Sequence, residues 1–558
     1  MTTELRNDVA EIVLQGLRQA QVNGSLPEAD VEDPGIERPN NPEHGDLSCT
    51  LPLKLARPMR MDPLAIADKI AEHIPSGGVF ERVWTARPGF INFAMSDGWR
   101  QDQVAAVIAQ GDRYGHGEVG AGRRVQVEFV SVNPTGPLHV GHARGAVIGS
   151  ALAKILDAAG YDVQREYYVN DAGTQIELFH ESLYARYLQL HGRDAPVPEG
   201  GYQGEYMSHL ASEINVADGE AYLTMPPAEA VNRIGAVGVE RMIDALRVNL
   251  DRLGVSYDLW FSEQSLFDSG RYDRVMKIIE DEGHIEERDG AVWFASSALG
   301  EDKDNVLVRS NGAHTYFASD IAYHHEKFEG RGFDRVVNIW GADHQGHVNR
   351  MKTAVRALGF DPDNLDLIIY QMVSFKRGDE LVRASKRAGN IITIDELVDE
   401  VGVDACRFFF LSRAAETQME FDLELAKRES SDNPVYYVQY AHARIAGILA
   451  KAEDQGIDHS NADLSLLTHE AELDLVRKMT VLPELVQMMA ENLEPHHLPH
   501  YAQELAYAFH TFYQQCRVVS NVEGQEELTR ARLQLCSAAK IVLANCLDLM
   551  SMSTPEQM

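Results

Sequence analysis

The chain has 558 residues, 44% of them hydrophobic and 24% charged, so it is too long for one hydrophobic core and we expect a soluble protein of three or more domains. It has no signal peptide and no apolar run of about 18 residues, which excludes a membrane span and favours a cytoplasmic location. The formal net charge of −34 argues against a nucleic-acid partner, because RNA binding requires Lys and Arg near the phosphates, but it does not exclude a local basic surface.

Residues 1–112 form the first predicted unit, a small α/β module. Apolar spacing predicts its elements as helices over residues 4–22, 62–74 and 97–110, and a strand over residues 90–93. The glycine-rich tract 112–124 that follows is typical of a linker and sets the boundary of this unit.

The next unit, residues 113–395, begins with a β-α-β pattern. Residues 125–130 are rich in β-branched side chains and predict a strand. After a turn-rich segment, His139-Val-Gly-His142 opens a helix whose apolar residues recur at helical spacing until Gly160. A second strand is predicted over residues 163–169. This order favours parallel strands joined by a right-handed crossover.

The two histidines occupy the place where such a unit binds ligands. Ligands of open α/β sheets lie at the carboxyl ends of the strands, and a helix N-terminus offers N–H groups that attract phosphate. His139 and His142 add hydrogen-bond donors there, and Gly141 leaves room for a flat ring close to the backbone. The pattern predicts a nucleotide site. The alternatives are ordinary capping histidines and a metal pair that lacks a third ligand nearby in the sequence.

The tetrapeptide HVGH resembles the HIGH signature of class I aminoacyl-tRNA synthetases, which small nucleotidyltransferases also use. The longer segments EFVSVNPTGPLHVGHARG and YYVNDAGTQI are similar to the arginyl-tRNA synthetase family in particular. The resemblance implies a multidomain α/β fold, with a Rossmann-like parallel-sheet catalytic domain and an all-α C-terminal anticodon-binding domain. It also implies that the N-terminal module contacts the outer corner of the tRNA, although a structural cap without RNA contact is the alternative.

From about residue 190 to 291 the periodicity is helical, and we interpret this stretch as an insertion that splits the nucleotide-binding fold. Class I synthetases that hydrolyse mischarged products carry a much larger insertion, so the resemblance implies no editing site. The sheet resumes with strands predicted over residues 334–340 and 367–373. The basic segment 374–390 that follows is predicted to be a loop.

The segment RASKR near the end of this basic loop aligns with the KMSKS signature of the family. By that resemblance, Lys386 is the ammonium that holds the leaving phosphates, with Ser385 and Arg387 beside it at the ATP. The Lys-Met start of the signature is replaced by Arg-Ala. The candidates to take over the first lysine's role are Arg383, Lys376 and Arg377. On charge alone, a solvated basic loop is the alternative.

The resemblance also assigns an amino-acid pocket for a planar cation, which needs a carboxylate able to accept two N–H groups. The assigned residues are Tyr316 and Asp320 at the guanidinium, Glu128 and Asn133 at the α-amino and carboxylate ends, and His344 or Gln345 at a further contact. For Asp320 there is a structural alternative. It could be the N-cap of a helix over residues 321–328, a role that aspartate favours.

Residues 396–432 are predicted to be short helices, which in this family support the acceptor stem, and residues 433–558 to be helical. Tyr436, Tyr440 and Arg444 are spaced four apart and so share one helix face, with His442 to one side. Aromatic and arginine side chains suit unstacked anticodon bases. Core packing is the alternative for such a stripe.

The resemblance implies an ATP-dependent ligase that forms arginyl-adenylate and transfers the arginyl group to tRNA(Arg). The expected partners are therefore tRNA(Arg), L-arginine and ATP, with Mg²⁺ carried by the nucleotide, and we expect a monomer. Five scattered cysteines without a CxxC pair predict no zinc site. Two other classes stay open, a non-catalytic RNA-binding paralogue and a small-molecule nucleotidyltransferase, although the long helical C-terminal part argues against the latter.

Overall fold

The computed structural model describes residues 3–29, 31, 33–39, 41–378, 380–382 and 393–558. Its first unit is an antiparallel sheet with helices packed on it. The elements are α1 (Thr3–Val22), β1 (Ile36–Glu37), β2 (Leu47–Cys49), α2 (Leu51–Met59), α3 (Pro63–Ala71), β3 (Phe80–Ala86), β4 (Phe90–Met95) and α4 (Asp97–Gln110). The strand order is β1-β2-β4-β3. The three helices and the strand predicted for this stretch are present as α1, α3, α4 and β4.

Side-chain capping explains where two of these helices begin. The Asp62 carboxylate accepts backbone N–H groups of the first turn of α3, and the Ser96 hydroxyl does the same for α4. The unit also has a hydrophobic core of its own, in which the rings of Phe80 and Phe93 lie 5.0 Å apart. It is therefore a separately packed module.

The middle of the chain alternates strands with helices. The strands are β5 (Arg124–Phe129), β6 (Asp162–Val169), β7 (Leu259–Ser262), β8 (Ile285–Arg288), β9 (Ala291–Phe294), β10 (Asn305–Val308), β11 (Arg335–Gly341), β12 (Leu365–Tyr370), β13 (Val373–Arg377), β14 (Glu380–Val382) and β15 (Met419–Asp422). The helices are α5 (Val140–Ala158), α6 (Thr174–Leu190), α7 (Glu205–Asp218), α8 (Pro227–Arg252), α9 (Gln264–Asp268), α10 (Arg271–Asp281), α11 (Tyr316–His325), α12 (Val348–Ala357), α13 (Ile394–Val401), α14 (Val403–Leu411) and α15 (Leu423–Ala426).

Five parallel strands form the central sheet, in the order β12-β11-β5-β6-β7. The chain runs outward from β5 through β6 to β7, and then returns on the other side of β5 with β11 and β12. The direction of winding therefore reverses between β5 and β11. In open parallel sheets a ligand crevice forms at such a point, at the carboxyl ends of the strands. The predicted unit β5-α5-β6 is confirmed.

The predicted helical insertion is shorter than expected. Helices α6, α7 and α8 pack around their own hydrophobic core, but after Arg252 the chain returns to the central sheet as β7 and then forms the β8–β9 hairpin. The helical prediction for 190–291 is therefore wrong at β7 and at the β8–β9 hairpin, whereas α9 and α10 between them are helical. A strand of four residues is too short to show an alternating pattern, and it is held by tertiary contacts such as the stacking of Trp260 on Tyr167 at 4.2 Å.

The strand predicted over residues 367–373 is present as β12, but its predicted end is wrong, and part of the predicted loop after it forms strands. β12 ends at Tyr370, and from β13 onward the chain forms a second small sheet of order β14-β13-β15. In this sheet the ring of Phe375 lies 5.5 Å from that of Phe421 on β15. The partner strand is far away in the sequence, so no local pattern could reveal this pairing.

The C-terminal part is helical, as predicted. Its helices are α16 (Pro434–Asp454), α17 (Glu470–Met479), α18 (Leu482–Asn492), α19 (His497–Gln515) and α20 (Glu526–Leu549). One continuous hydrophobic core extends from the central sheet and α5 into this bundle, so the bundle is fixed against the sheet. Throughout the described ranges, every helix is too short or too polar to cross a membrane.

Candidate active site

His139 and His142 lie together at the start of α5, which follows β5. His139 is the N-cap residue, and its Nδ1 accepts the backbone N–H of Gly141 at 3.1 Å. A neutral imidazole that accepts at Nδ1 carries its proton on Nε2. The centroids of the two rings are 3.7 Å apart. The capping alternative is thus correct for His139, but capping uses only Nδ1 and leaves Nε2 as the donor of this ring.

Gly141 is required by the ring of His139. A Cβ atom at position 141 would lie 2.9 Å from both Nδ1 and Cε1 of that ring, so any larger residue would displace the imidazole. The sequence predicts that Gly141 leaves room for a nucleotide. The structure adds a local reason for glycine, which is the space that the His139 ring needs. The position of the histidine therefore depends on the residue two places later.

Ser385, Lys386 and Arg387 lie outside the described residues, but both flanks of their segment are described. On the N-terminal side, β14 ends at Val382. On the C-terminal side, Thr393 forms an antiparallel bridge with His139 and caps α13. Thr393, the first described residue after this segment, is therefore held at the start of α5.

Two of the three candidates for the missing lysine of the signature are described, and both are paired with carboxylates. Lys376 Nζ lies 2.9 Å from Glu420 Oε1, and Arg377 Nη1 lies 2.6 Å from Glu400 Oε1. These ion pairs disfavour Lys376 and Arg377 as phosphate ligands in this conformation. The third candidate, Arg383, lies outside the described residues.

Tyr316 and Asp320 are one turn apart on α11, so they share a face of that helix. The helix begins at Tyr316, and its N-cap is Thr315, whose hydroxyl accepts a backbone N–H of the first turn. Asp320 is therefore inside the helix, and the alternative that it caps a helix starting at residue 321 is wrong. The side chain of Tyr316 is 50% exposed.

Glu128, near the carboxyl end of β5, belongs to a buried polar network. Its Oε2 accepts a hydrogen bond from Lys327 Nζ at 2.6 Å, and the fully buried Lys327 also donates to Asn338 Oδ1 at 2.9 Å. Asn338 Nδ2 donates to His324 Nε2 at 2.8 Å, and His324 Nδ1 donates to the backbone carbonyl of Asp320 at 2.7 Å. The network therefore links Glu128 to the helix that bears Asp320.

Glu263 is a further carboxylate of this region, and the sequence analysis missed it. It directly follows β7, and it is only 4% exposed. The amide nitrogen of Asn170 lies 2.8 Å from Glu263 Oε2, and the same amide lies 3.2 Å from the Asn133 side chain. Among the described residues no Lys or Arg forms an ion pair with Glu263. The sequence feature that indicates Glu263 is an acidic residue at the carboxyl end of a strand. This feature can be recognised only once β7 is known to belong to the central sheet.

The carboxyl groups of this pocket favour a cationic ligand. Burial, followed by the charges of Glu128 and Glu263, raises the pKa of Asp320 to about 8. Burial also raises the pKa of Glu263 to about 7. Among the described residues, Lys327 forms an ion pair only with Glu128. A cation bound between Asp320 and Glu263 would stabilise both ionised carboxylates, so this chemistry suits a guanidinium better than a neutral group.

His344 lies in the exposed turn that joins β11 to α12. The neighbouring His347 accepts a hydrogen bond from Arg350 at 2.5 Å, and burial together with the charge of Arg350 lowers the pKa of His347 to about 4. Arg350 in turn lies over the ring of Phe317 on α11, 4.9 Å from its centroid. The turn is thus held beside α11. Gln345 is equally exposed, so either His344 or Gln345 fits the predicted contact.

Tyr436, Tyr440 and Arg444 share one face of α16, as their spacing predicts. The two tyrosine rings are stacked 5.8 Å apart, and the Arg444 guanidinium lies 4.5 Å from the Tyr440 ring centroid and donates to its hydroxyl at 2.7 Å. All three side chains are partly exposed. Tyr513 of α19, which the sequence analysis missed, is 41% exposed and lies 4.9 Å from Arg444.

His442 lies to one side of this face, as its spacing predicts, but its burial disfavours a contact with the anticodon. It is 1% exposed, and its Nδ1 donates to the carbonyl of Pro555 at 2.9 Å. Burial lowers the pKa of its imidazole. A side chain enclosed in this way packs the bundle against the C-terminal segment and is not presented to RNA in this conformation.

The described ranges contain no group of three or more His, Cys, Asp or Glu side chains placed to hold a metal ion. For the histidine pair of α5, this leaves no third ligand among the residues described. The five cysteines are all buried and free.

Three family models match successive parts of the chain. Residues 5–95 match the arginyl tRNA synthetase N terminal domain, residues 103–409 the catalytic domain of tRNA synthetases class I (R), and residues 438–558 the DALR anticodon binding domain. The catalytic match includes both histidines of α5 and the carboxylate pocket.

Relatives and solved structures agree with these matches. The chain is 52% identical to the arginine–tRNA ligase of Dehalococcoides mccartyi and 48% identical to that of Heliobacterium modesticaldum, with 99% of both chains covered in each case. The arginyl-tRNA synthetase of Thermus thermophilus has the same fold, with a TM-score of 0.76 at 23% identity over 99% of this chain and all of that one. The chain belongs to the arginyl-tRNA synthetase family of class I aminoacyl-tRNA synthetases.

Proposed function

We propose that the protein joins L-arginine to tRNA(Arg) with consumption of ATP, as the names of its relatives describe for them. The observation that carries this proposal is the position of the carboxylates. The charges of Glu128 and Glu263 act on Asp320, and Glu128 lies at the carboxyl end of β5, the strand that leads to the histidine pair of α5. One crevice can therefore receive a cationic amino acid and a triphosphate side by side.

In the first step, the carboxylate of arginine attacks the α-phosphorus of ATP, and pyrophosphate leaves with the bonding electrons. Negative charge accumulates on the phosphate oxygens, so the protein has to position the reactants and stabilise that charge. We assign this role to the imidazoles of His139 and His142 and the N-terminus of α5, together with Gly141 as the residue that leaves space for the His139 ring. On the other side, Lys386 would hold the leaving phosphates, with Ser385 and Arg387 beside it.

For the amino acid, we assign the guanidinium to Asp320, Tyr316 and Glu263. The ends of the substrate would contact Glu128 and Asn133, with Lys327 paired to Glu128. A pocket that hydrogen-bonds a guanidinium rejects analogues that leave its buried carboxylates unpaired. For this reason the enzyme would need no editing site. His344 or Gln345 would complete the site from the β11–α12 turn.

In the second step, a hydroxyl of the 3′-terminal ribose of tRNA attacks the carbonyl carbon of arginyl-adenylate, and AMP leaves. The anticodon would contact the face formed by Tyr436, Tyr440, Arg444 and Tyr513, because aromatic rings and guanidinium groups stack on unpaired bases. The N-terminal module of residues 1–112 would contact the corner of the tRNA, and residues 396–432 would support the acceptor stem. His442 is left out because it is buried.

The remaining parts of the proposal concern the setting of the reaction. Mg²⁺ would be carried by ATP, since that ion usually binds through substrate oxygens, and it would offset negative charge on the phosphates. We further propose that the protein acts as a monomer in the cytoplasm, where translation takes place. Size-exclusion chromatography with light scattering checks the monomer, because a dimer would double the measured mass.

The test of the proposed function is pyrophosphate exchange and aminoacylation with purified tRNA(Arg). We expect exchange that requires arginine and is not supported by lysine, and we expect charging of tRNA(Arg) only. A non-catalytic RNA-binding paralogue would bind the tRNA without exchange. A small-molecule nucleotidyltransferase would show activity without any dependence on arginine or tRNA.

A further inference from the structure

Arg144 lies two residues after His142 on α5, and its side chain is fully buried. Its guanidinium donates three hydrogen bonds of 2.8 Å, all to backbone carbonyls, namely those of Gln371, Ala414 and Thr417. None of the described carboxylates forms an ion pair with it. A buried cation without a counter-ion is costly unless its hydrogen bonds are well made, so this arrangement needs an explanation.

The carbonyls that Arg144 holds lie at the base of the small sheet β14-β13-β15. Gln371 is in the connection between β12 and β13, and Thr417 is just before β15, which pairs with β13. The two connections are also bonded to each other, because the N–H of Gln371 donates to the carbonyl of Ala415 at 2.9 Å. From this base, β13 and β14 lead into residues 383–392, which contain Lys386.

Helix α5 contacts the same region at two further points. Gly145 lets Tyr370, the last residue of β12, pack directly on the helix, since a Cβ at position 145 would lie 2.6 Å from the tyrosine ring. At the start of the helix, His139 bridges Thr393, which follows the segment that contains Lys386. One rigid helix therefore bears both histidines and holds both flanks of the basic segment.

We propose that Arg144 is a positioning residue for adenylate formation, which fixes the small sheet β14-β13-β15 against the helix that bears the histidine pair. The proposal rests on the function proposed above. A guanidinium presents five N–H donors in one rigid plane and can hold three carbonyls at once, whereas a lysine ammonium has no such fork. A shift at this joint would misplace the phosphate ligands while leaving the arginine pocket intact.

The decisive variant is Arg144→Lys, and Arg407→Lys is its matched control. Arg407 is also fully buried and also donates to backbone carbonyls, those of Leu253 and Met550. It lies on α14, where it holds the ends of α8 and α20 and donates to Ser150 Oγ on α5 at 3.1 Å, without contacting the small sheet. Both substitutions remove a buried guanidinium, so both should lower the melting temperature to a similar extent.

The measurement is pyrophosphate exchange, from which kcat, KM for ATP and KM for arginine are determined separately. Each protein is assayed at the same number of degrees below its own melting temperature. For Arg144→Lys we expect kcat to fall about 100-fold, as a misplacement of about 1 Å between reacting groups can cause, with KM for arginine unchanged. For Arg407→Lys we expect kcat to stay within about twofold of the wild type, since it acts only on stability.

Equal kcat values for the two variants would overturn the proposal and reduce Arg144 to a stabilising residue. If Arg144→Lys does not fold, Gly145→Ala decides, because its methyl group pushes Tyr370 away from α5 without altering any charge. A folded Gly145→Ala with normal kcat would also refute the proposal, and a lowered kcat would support it. Absence of exchange in the wild type would instead refute the proposed function itself.

Discussion

The substitution Asp320→Asn tests the guanidinium pocket, because asparagine is the neutral counterpart of a protonated aspartate. Burial and the charges of Glu128 and Glu263 raise the pKa of Asp320 to about 8. In the free protein near pH 7, Asp320 is therefore mostly protonated, and it must lose its proton to accept charged hydrogen bonds from arginine. Bound arginine lowers that pKa, so the affinity for arginine rises as the pH rises through about 8.

The expected loss of kcat/KM for arginine in Asp320→Asn follows from two opposing free-energy contributions. Hydrogen bonds to charged groups contribute about 1.5 to 3 kcal/mol, and we take about 3 kcal/mol because a guanidinium can bind both carboxylate oxygens. Deprotonating Asp320 near pH 7 costs about 1 kcal/mol, which leaves about 2 kcal/mol, or about 30-fold in kcat/KM for arginine. Near pH 9 this cost disappears, and Asp320→Asn should lose about 150-fold.

The assay is pyrophosphate exchange at limiting arginine, measured from about pH 6.5 to 9 for the wild type, Asp320→Asn and a control, Asp366→Asn. Asp366 lies at the opposite end of the central sheet, where it accepts a hydrogen bond from Arg335 at 2.6 Å. The control should show the wild-type pH dependence. If the ratio of kcat/KM for arginine between the wild type and Asp320→Asn stays constant across this pH range, the reasoning is refuted. If the two proteins have equal kcat/KM, Asp320 does not belong to the pocket.

Three further changes test other parts of the site. The double substitution His139→Ala and His142→Ala should lower kcat of exchange by about 1000-fold or more, because donors to the developing phosphate charge are lost, while tRNA affinity in a filter-binding assay stays unchanged. Gly141→Ala should lower kcat by about tenfold, since its Cβ would displace the His139 ring, and titration of that imidazole by NMR should show the changed environment. Tyr440→Ala should weaken tRNA(Arg) binding by about tenfold through lost base stacking, with unchanged exchange at saturating tRNA.

Each of these results has an opposite that is equally informative. Normal exchange by the double histidine variant would show that the pair only caps α5. Wild-type kinetics for Gly141→Ala would mean that the ring of His139 can move without cost. Unchanged tRNA affinity for Tyr440→Ala would mean that the aromatic face of α16 serves only as packing between helices. The control is Tyr436→Phe, which keeps the ring and should bind tRNA like the wild type in either case.

The elements that sequence analysis predicted correctly are those with a local physical cause. The helices over residues 4–22 and 97–110 have a regular apolar spacing, and the strand before His139 is a run of β-branched side chains. The start of α5 was visible because capping residues and the histidine pair occur together. For the same reason Tyr436, Tyr440 and Arg444 could be placed on one face from their spacing alone.

The elements that it missed depend on partners far along the chain. β7 is four residues long, and β13 is held by β15, so neither shows a pattern of its own. Glu263 could not be placed at the pocket before β7 was placed in the sheet. The burial of His442 is a similar case, because it depends on the packing of the C-terminal segment around Pro555.

By itself, the sequence of this protein determined its family, the β5-α5-β6 unit and the residue types of the site, since these follow from contiguous motifs and from spacing along one helix or strand. Only the tertiary structure decided which carboxylates meet in one pocket, which of them Lys327 neutralises, and how Arg144 connects the histidine helix to the small sheet. The physical reason is that pKa values, burial and hydrogen bonds depend on distances through space, and these arise only when strands far apart in the chain become neighbours in one sheet.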